Sequence, residues 1–197
     1  MRHTIDLSLA RRQHEKYCRI LSELGLEIIH LPRDDLHPDS CFVEDNAVTY
    51  RGKALICRMA KKSRRGEEKA VLEVLKEYMP VKRAISPATI EGGDVLHLED
   101  HLICRVTQRT NEEGVNQLRK WFGVEAKTIL DKSIVHPKSY ISYLGNEVII
   151  STRKYADHPV LEGFRVLVVP EDEAYAANAL AIDEVVLMLR DFQNPKR

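Results

Sequence analysis

The sequence predicts an α/β fold assembled from repeated β-β-α-β units, and three observations predict it. Residues 55–58 (Leu-Ile-Cys-Arg) recur unchanged at residues 102–105, 47 positions further on. A hairpin pattern stands at each copy, and a helical pattern followed by a short apolar run comes after it. A third, weaker copy follows the second. A period of about 45 residues falls in the range of radial or stacked repeat architectures. A doubly wound parallel sheet ranks second, because parallel units need a crossover between successive strands and leave no room for a strand pair in each repeat.

The elements follow in order. Residues 8–24 are amphipathic, with Tyr17, Ile20, Leu21 and Leu24 at helical spacing and Gly25 as the stop, and residues 26–31 read as a strand. In the first full copy, residues 43–50 and 54–59 flank Arg51-Gly52-Lys53 as a hairpin. Ser63 is the expected N-cap of a helix carrying Val71, Val74, Leu75 and Tyr78, and residues 81–85 close the unit. In the second copy, residues 94–98 and 102–106 flank Glu99-Asp100-His101. Thr110 and Glu113 match a capping box, Val115, Leu118, Trp121 and Phe122 form the buried stripe, Gly123 ends the helix, and residues 124–130 are the closing strand. The third copy places a hairpin over 140–144 and 147–151 around Gly145-Asn146, a poor helix over 153–163 and a strand over 165–169. Residues 178–182 and 185–189 form a last hairpin.

Composition narrows the function. The 197 residues are 44% apolar, enough for one substantial core, so a single domain over residues 1–197 is expected. Thirty basic residues balance thirty acidic ones, and a neutral chain has no long-range field to gather nucleic acid or an anionic membrane. No apolar run approaches the roughly 20 residues of a membrane helix, and the first residues lack the apolar core of a secretory signal. Cys18, Cys41, Cys57 and Cys104 have no Cys-x-x-Cys spacing, which fits reduced thiols and a cytoplasmic location. Cys57 and Cys104 occupy equivalent repeat positions, as packing residues do.

Polar chemistry concentrates in three places. Residues 34–45 carry Asp34, Asp35, His37, Asp39, Glu44 and Asp45 at the start of an apolar strand-like run. Acids framed by apolar residues are costly unless they meet a cation, so Asp39, Glu44 and Asp45 are read as cation-binding, and Asp34 and Asp35 as solvated. Glu44 and Asp45, adjacent on the expected strand, should point to opposite faces. Glu91-Gly92-Gly93-Asp94 precedes a strand, where two glycines permit close approach of a ligand or simply a turn. His136 in His136-Pro137-Lys138-Ser139 is a candidate acid or base. His97 and His101, with Glu99 and Asp100, cluster in a hairpin turn without a complete metal-ligand set.

Taken in order, Leu31-Pro32, residues 38–45, Ser63-Arg64-Arg65, residues 91–96, Arg109-Thr110-Asn111 and His136-Pro137-Lys138-Ser139 resemble the dimethylarginine dimethylaminohydrolase family, of the guanidino-modifying superfamily that includes amidinotransferases. The resemblance implies a five-bladed α/β propeller (pentein) of β-β-α-β units, here without the opening strand and the closing repeat. It implies hydrolysis of methylated arginine or arginine to citrulline, with no metal or other cofactor. Asp39, Glu44 and Asp45 would hold the substrate guanidinium, Arg64 and Arg109 its carboxylate; His136 would be the general acid/base and Glu91 would orient or charge-pair with it. The family's nucleophilic cysteine lies in a closing strand, and no cysteine follows Cys104. Cys41, among acids that weaken a thiolate, is not a substitute. The implied enzyme is therefore inactive as this chain alone; the alternative is a non-catalytic guanidino-binding or protein-interaction module. A second copy of the chain, covering an open sheet edge, is the expected macromolecular partner.

Overall fold

A computed structural model of the chain describes residues 5–130 and 136–189, in two compact units, Met1–Arg33 and Asp34–Arg197. The start and end of the chain, residues 1–4 and 190–197, which bear on a leader and a closing strand, lie outside the described residues. No helix is long and apolar enough to cross a membrane among the described residues.

The first unit is helix α1 (Leu7–Glu23), followed by extended chain. Asp6 caps α1 by accepting from the Leu9 N–H at 2.9 Å, and Gly25, at φ +86°, turns the chain out of it. Residues 26–31 are not a strand, contrary to the sequence expectation. An apolar run becomes a strand only when another segment takes its N–H and C=O groups, and no described strand pairs with this one.

The second unit contains the repeat. Strands β1 (Ala47–Tyr50) and β2 (Lys53–Ile56) form an antiparallel hairpin across Arg51 and Gly52, both at positive φ as a type I′ turn requires. Helix α2 (Glu68–Tyr78) crosses over to β3 (Val81–Arg83), which pairs parallel with β2. The next copy repeats the plan: β4 (Val95–His97) and β5 (Leu102–Val106) antiparallel, α3 (Glu112–Phe122), then β6 (Ala126–Leu130) parallel to β5. In the third, β7 (Ile141–Gly145) pairs with β8 (Val148–Thr152), and the predicted poor helix splits into one α turn, α4 (Arg153–Ala156), and a 3-10 turn at Pro159–Leu161. Strand β9 (Arg165–Val169) then lies parallel to β8, and β10 (Ala179–Ile182) and β11 (Val185–Met188) make the last hairpin. The α/β class and the β-β-α-β unit both hold.

Two helix starts differ from expectation. Helix α2 begins at Glu68 rather than at Ser63, which sits inside a 3-10 turn, Lys62–Arg64. Asn111, not Thr110, caps α3, accepting from the Gly114 N–H at 2.8 Å; the Thr110 hydroxyl is instead donated to Asp94. At α3 a buried carboxylate, Asp94, has claimed the residue that local sequence would assign to the cap.

Adjacent repeats share cores. Val95, Leu102 and Cys104 pack with Val48, Leu55 and Leu118, whereas Leu96 and Ile103, on the opposite face of the same two strands, pack with Ile129, Ile141 and Ile149. This alternation buries β5 on both sides. Each fully buried Leu or Ile contributes about 1.5–3 kcal/mol. Cys57 and Cys104 are packing residues of the first core, as their equivalence in the repeat suggested.

A 3-10 turn stands immediately before the first strand of each unit: Val43–Asn46, Gly92–Asp94 and Pro137–Ser139. The second of these turns packs against both the first and the third. Gly92 makes that approach feasible, since a Cβ there would collide with the Glu44 carbonyl oxygen.

Candidate active site

The three abutting turns bring together residues from well-separated parts of the sequence. Asp45 lies on the first turn rather than on a strand, because its carboxylate is committed on two sides. Its Oδ1 accepts from the Gly93 N–H at 3.3 Å and its Oδ2 from Arg64 Nη1 at 3.1 Å. Glu44, one residue earlier on the same turn, points outward: its side chain is exposed and accepts from Lys138 Nζ at 2.7 Å. The two acids do diverge, but through a helical turn and not through strand alternation. Asp39 is at the rim, half exposed, with Oδ2 3.7 Å from Arg64 Nε.

Glu91 is fully buried. Its Oε2 accepts from Arg109 Nη1 at 2.9 Å and Arg64 Nη1 at 3.4 Å, while Oε1 has no hydrogen-bond partner among the described residues. His136 has Nδ1 3.4 Å from Asp94 Oδ1 and Nε2 3.7 Å from Asp45 Oδ1, 3.9 Å from Glu91 Oε2 and 3.3 Å from Arg109 Nη1. Gly93 clears the space, since a Cβ there would lie 2.8 Å from His136 Nδ1 and 2.7 Å from Asp45 Oδ1.

Asp94 makes a hydrogen bond to His136, and Glu91 stands at ion-pair distance from its other nitrogen. Asp94 is itself fully buried and fixed by the hydroxyls of Thr110 at 2.7 Å and Thr107 at 3.3 Å. Burial works against a charge on His136. The hydrogen bond to Asp94 and the fields of Asp45 and Asp94 outweigh it and raise the imidazole pKa above its ordinary value, with Arg109 pulling the other way. An imidazole in this state holds a proton more readily than a free one.

Both arginines rest on acids of the site. Arg64 is buried in its 3-10 turn, and Glu67 takes it in a fork, with Nε at 3.1 Å and Nη2 at 2.8 Å from Oε2. Burial opposes its charge, but Glu67 and Asp45 more than compensate, and its pKa is raised. Arg109 precedes the α3 cap and rests on Glu91 and His136. Sequence reasoning missed Glu67 and the roles of Asp94, Thr107 and Thr110. Glu67 left a signal in its i,i+3 spacing from Arg64, and Asp94 and Thr110 stood in motifs that did not disclose their roles.

Asp45, Glu91 and His136 offer ligand atoms all within 4.8 Å of one another, a spacing suited to a metal ion. The same carboxylates already accept from Arg64 and Arg109, so in this arrangement guanidinium groups supply the countercharge. None of the four cysteines is part of the group: Cys57 and Cys104 are buried, Cys41 is exposed and Cys18 half-buried. Burial is the main cause that pushes up the Cys57 thiol, and it pushes that of Cys104 up to about 12.

This α/β fold is shared with an amidinotransferase of saxitoxin biosynthesis from Microseira wollei, at a TM-score of 0.78 and 15% identity over 92% of this chain and 72% of that one. The likeness to dimethylarginine dimethylaminohydrolases is closer. Residues 2–156 match the family described as N,N dimethylarginine dimethylhydrolase, eukaryotic. The N(G),N(G)-dimethylarginine dimethylaminohydrolase of Pseudomonas aeruginosa is 32% identical over 188 residues, which cover 93% of this chain and 74% of that protein. A solved structure of the P. aeruginosa enzyme, complexed with citrulline, superposes with a TM-score of 0.90 at 31% identity, over 95% of this chain and 75% of that one. The chain belongs to the dimethylarginine dimethylaminohydrolase family.

Proposed function

We propose that this chain binds the guanidinium of methylated arginine and carries the acid–base part of its hydrolysis to citrulline and an amine. The observation that supports this most directly is His136, seated between Asp94 on one nitrogen and Asp45 and Glu91 on the other, in space cleared by Gly93. A planar guanidinium presents N–H groups in a fork that carboxylates such as Asp45 and Asp39 accept, and these acids keep the substrate cationic until attack. The P. aeruginosa relative was solved with citrulline bound, the product this reaction would give.

The chemistry needs a thiolate that adds to the guanidinium carbon. His136 then gives its proton to the departing amine as the C–N bond breaks, leaving a cationic thiouronium. Next, His136 takes a proton from water and the hydroxide adds to the same carbon; the C–S bond breaks with its electron pair on sulfur, restoring the thiolate, the hydroxyl proton passes to solvent and citrulline departs. In our reading, Cys18, Cys41, Cys57 and Cys104 do not supply that thiolate, and it comes from outside these 197 residues. With no thiol positioned on His136 among the described residues, the second reading is a guanidino-binding module without turnover. Four unpaired cysteines support a reducing, cytoplasmic setting.

Calorimetry with N,N-dimethylarginine and arginine, with citrulline assayed in the same samples, tests both parts. Binding without citrulline is the expected result, and Asp45→Asn should weaken that binding about tenfold or more. No binding by the folded chain refutes the pocket. Citrulline release that Cys41→Ala abolishes refutes the external thiol.

A further inference from the structure

The two arginines of the site are held in different ways. Arg64 is fastened through all three guanidinium nitrogens, Nε and Nη2 on Glu67 and Nη1 on Asp45 and Glu91, and its side chain is 4% exposed. Arg109 reaches the same Glu91 oxygen through Nη1 alone, at 2.9 Å, and that nitrogen also lies 3.3 Å from His136 Nε2. Its side chain is 25% exposed. Guanidinium and carboxylate prefer a two-point fork, yet Arg109 engages one oxygen, and the buried Oε1 of Glu91 has no partner among the described residues.

We propose that Arg109 is a displaceable stand-in for the substrate: its guanidinium fills the seat between Glu91 and His136, and a substrate guanidinium takes the seat by driving it out. The inference rests on the guanidinium-binding reading above and adds to it which side chain must move. Arg64 stays, because withdrawing it would strand Glu67 and Asp45 as buried charges without their cation. Arg109 can leave toward solvent, since among the described residues a single guanidinium nitrogen holds it, against one Glu91 oxygen and His136. A substrate that forks both oxygens of Glu91 makes the bond that Arg109 leaves unmade.

Seating also sets the proton state of His136. Arg109 Nη1 is always a donor, so it faces a bare Nε2 only when the ring proton sits on Nδ1, toward Asp94. An imidazolium would set N–H against N–H. Departure of Arg109 thus permits His136 to take up the proton that the leaving amine requires, and a charged His136 in turn repels Arg109 from the seat.

Methylguanidine, a guanidinium without a carboxylate, separates this role from a carboxylate clamp. Calorimetry of the full chain should show it binding Arg109→Gln about tenfold more tightly than the unsubstituted chain, the gain expected if the seat is open about a tenth of the time. Arg109→Lys, which keeps the charge but not the guanidinium, should give a smaller gain and serves if the first variant does not fold. A pure carboxylate clamp leaves methylguanidine affinity unchanged and weakens only arginine; that result overturns the proposal. If methylguanidine binds none of the proteins, the guanidinium-binding reading fails on its own account. The His136 titration by NMR then decides the seat: loss of the neighbouring cation in Arg109→Gln raises its midpoint if Arg109 rests on the ring, and an unchanged midpoint overturns the proposal.

Discussion

Asp94 controls His136 more than any other residue, through a hydrogen bond to Nδ1 and a negative charge beside the ring. Asp94→Asn removes the charge, so the His136 midpoint should fall toward that of a free histidine, as NMR titration would read. The raised pKa also has a stability consequence with a definite sign. A group that binds its proton more tightly when folded stabilises the fold below its unfolded pKa, about 6.5, and loses that contribution as pH rises through the folded value. The stability difference between the unsubstituted chain and His136→Gln in urea should therefore be largest below pH 6.5 and shrink above it. The comparison has to be made between variants because His97 runs the other way. Burial drives its pKa down to about 3, so its contribution is present above pH 6.5 and is lost as pH falls from there toward 3. At Thr110, whose hydroxyl is donated to the buried Asp94 and accepts from the Glu91 N–H, replacement by valine should cost about 1–3 kcal/mol in urea denaturation.

Among the elements, α3 carries the most specific joint. Asn111 accepts from Gly114 as its cap, accepts from the Thr89 N–H at 2.9 Å and donates to the Pro87 carbonyl at 2.9 Å. An ordinary N-cap is worth about 1 kcal/mol; this one also holds a loop, so Asn111→Ala should cost about 2 kcal/mol or more in the same assay. The element scale also shows what a sequence can disclose. Hairpins, crossover helices and closing strands were legible because apolar spacing repeats with the fold, and 165–169 and the α1 pattern fell within a residue of the observed elements. The three 3-10 turns were not. Val43-Glu44-Asp45-Asn46 runs directly into the apolar strand β1, and the Arg64 and Gly93 partners of Asp45, distant in sequence, hold it in a turn. In the site, Asp45, Glu91 and His136 were legible as a motif and the structure brings them together. Where Arg64 and Arg109 rest was not legible, because long side chains choose among acids that become neighbours only on folding.

At the scale of the whole molecule, β4 and β5 belong to two cores at once, which ties the second repeat to the first and the third. Cys57 and Cys104 report on that tie. A thiol reagent should modify the exposed Cys41 within the mixing time, but reach Cys57 and Cys104 only at the rate of global opening, together and not one after the other. Labelling of Cys104 well ahead of Cys57 would show that the repeats open independently. The packed 3-10 turns give this cooperativity a chemical meaning. Asp45 comes from the first repeat, Glu91 and Asp94 from the second, and His136 from the threshold of the third. A chain with any one repeat open retains at most two corners of the site, so there is no half-strength form of it. Ligand occupancy would then act as a proofreader of assembly, favouring only the state in which all three turns have closed on one another.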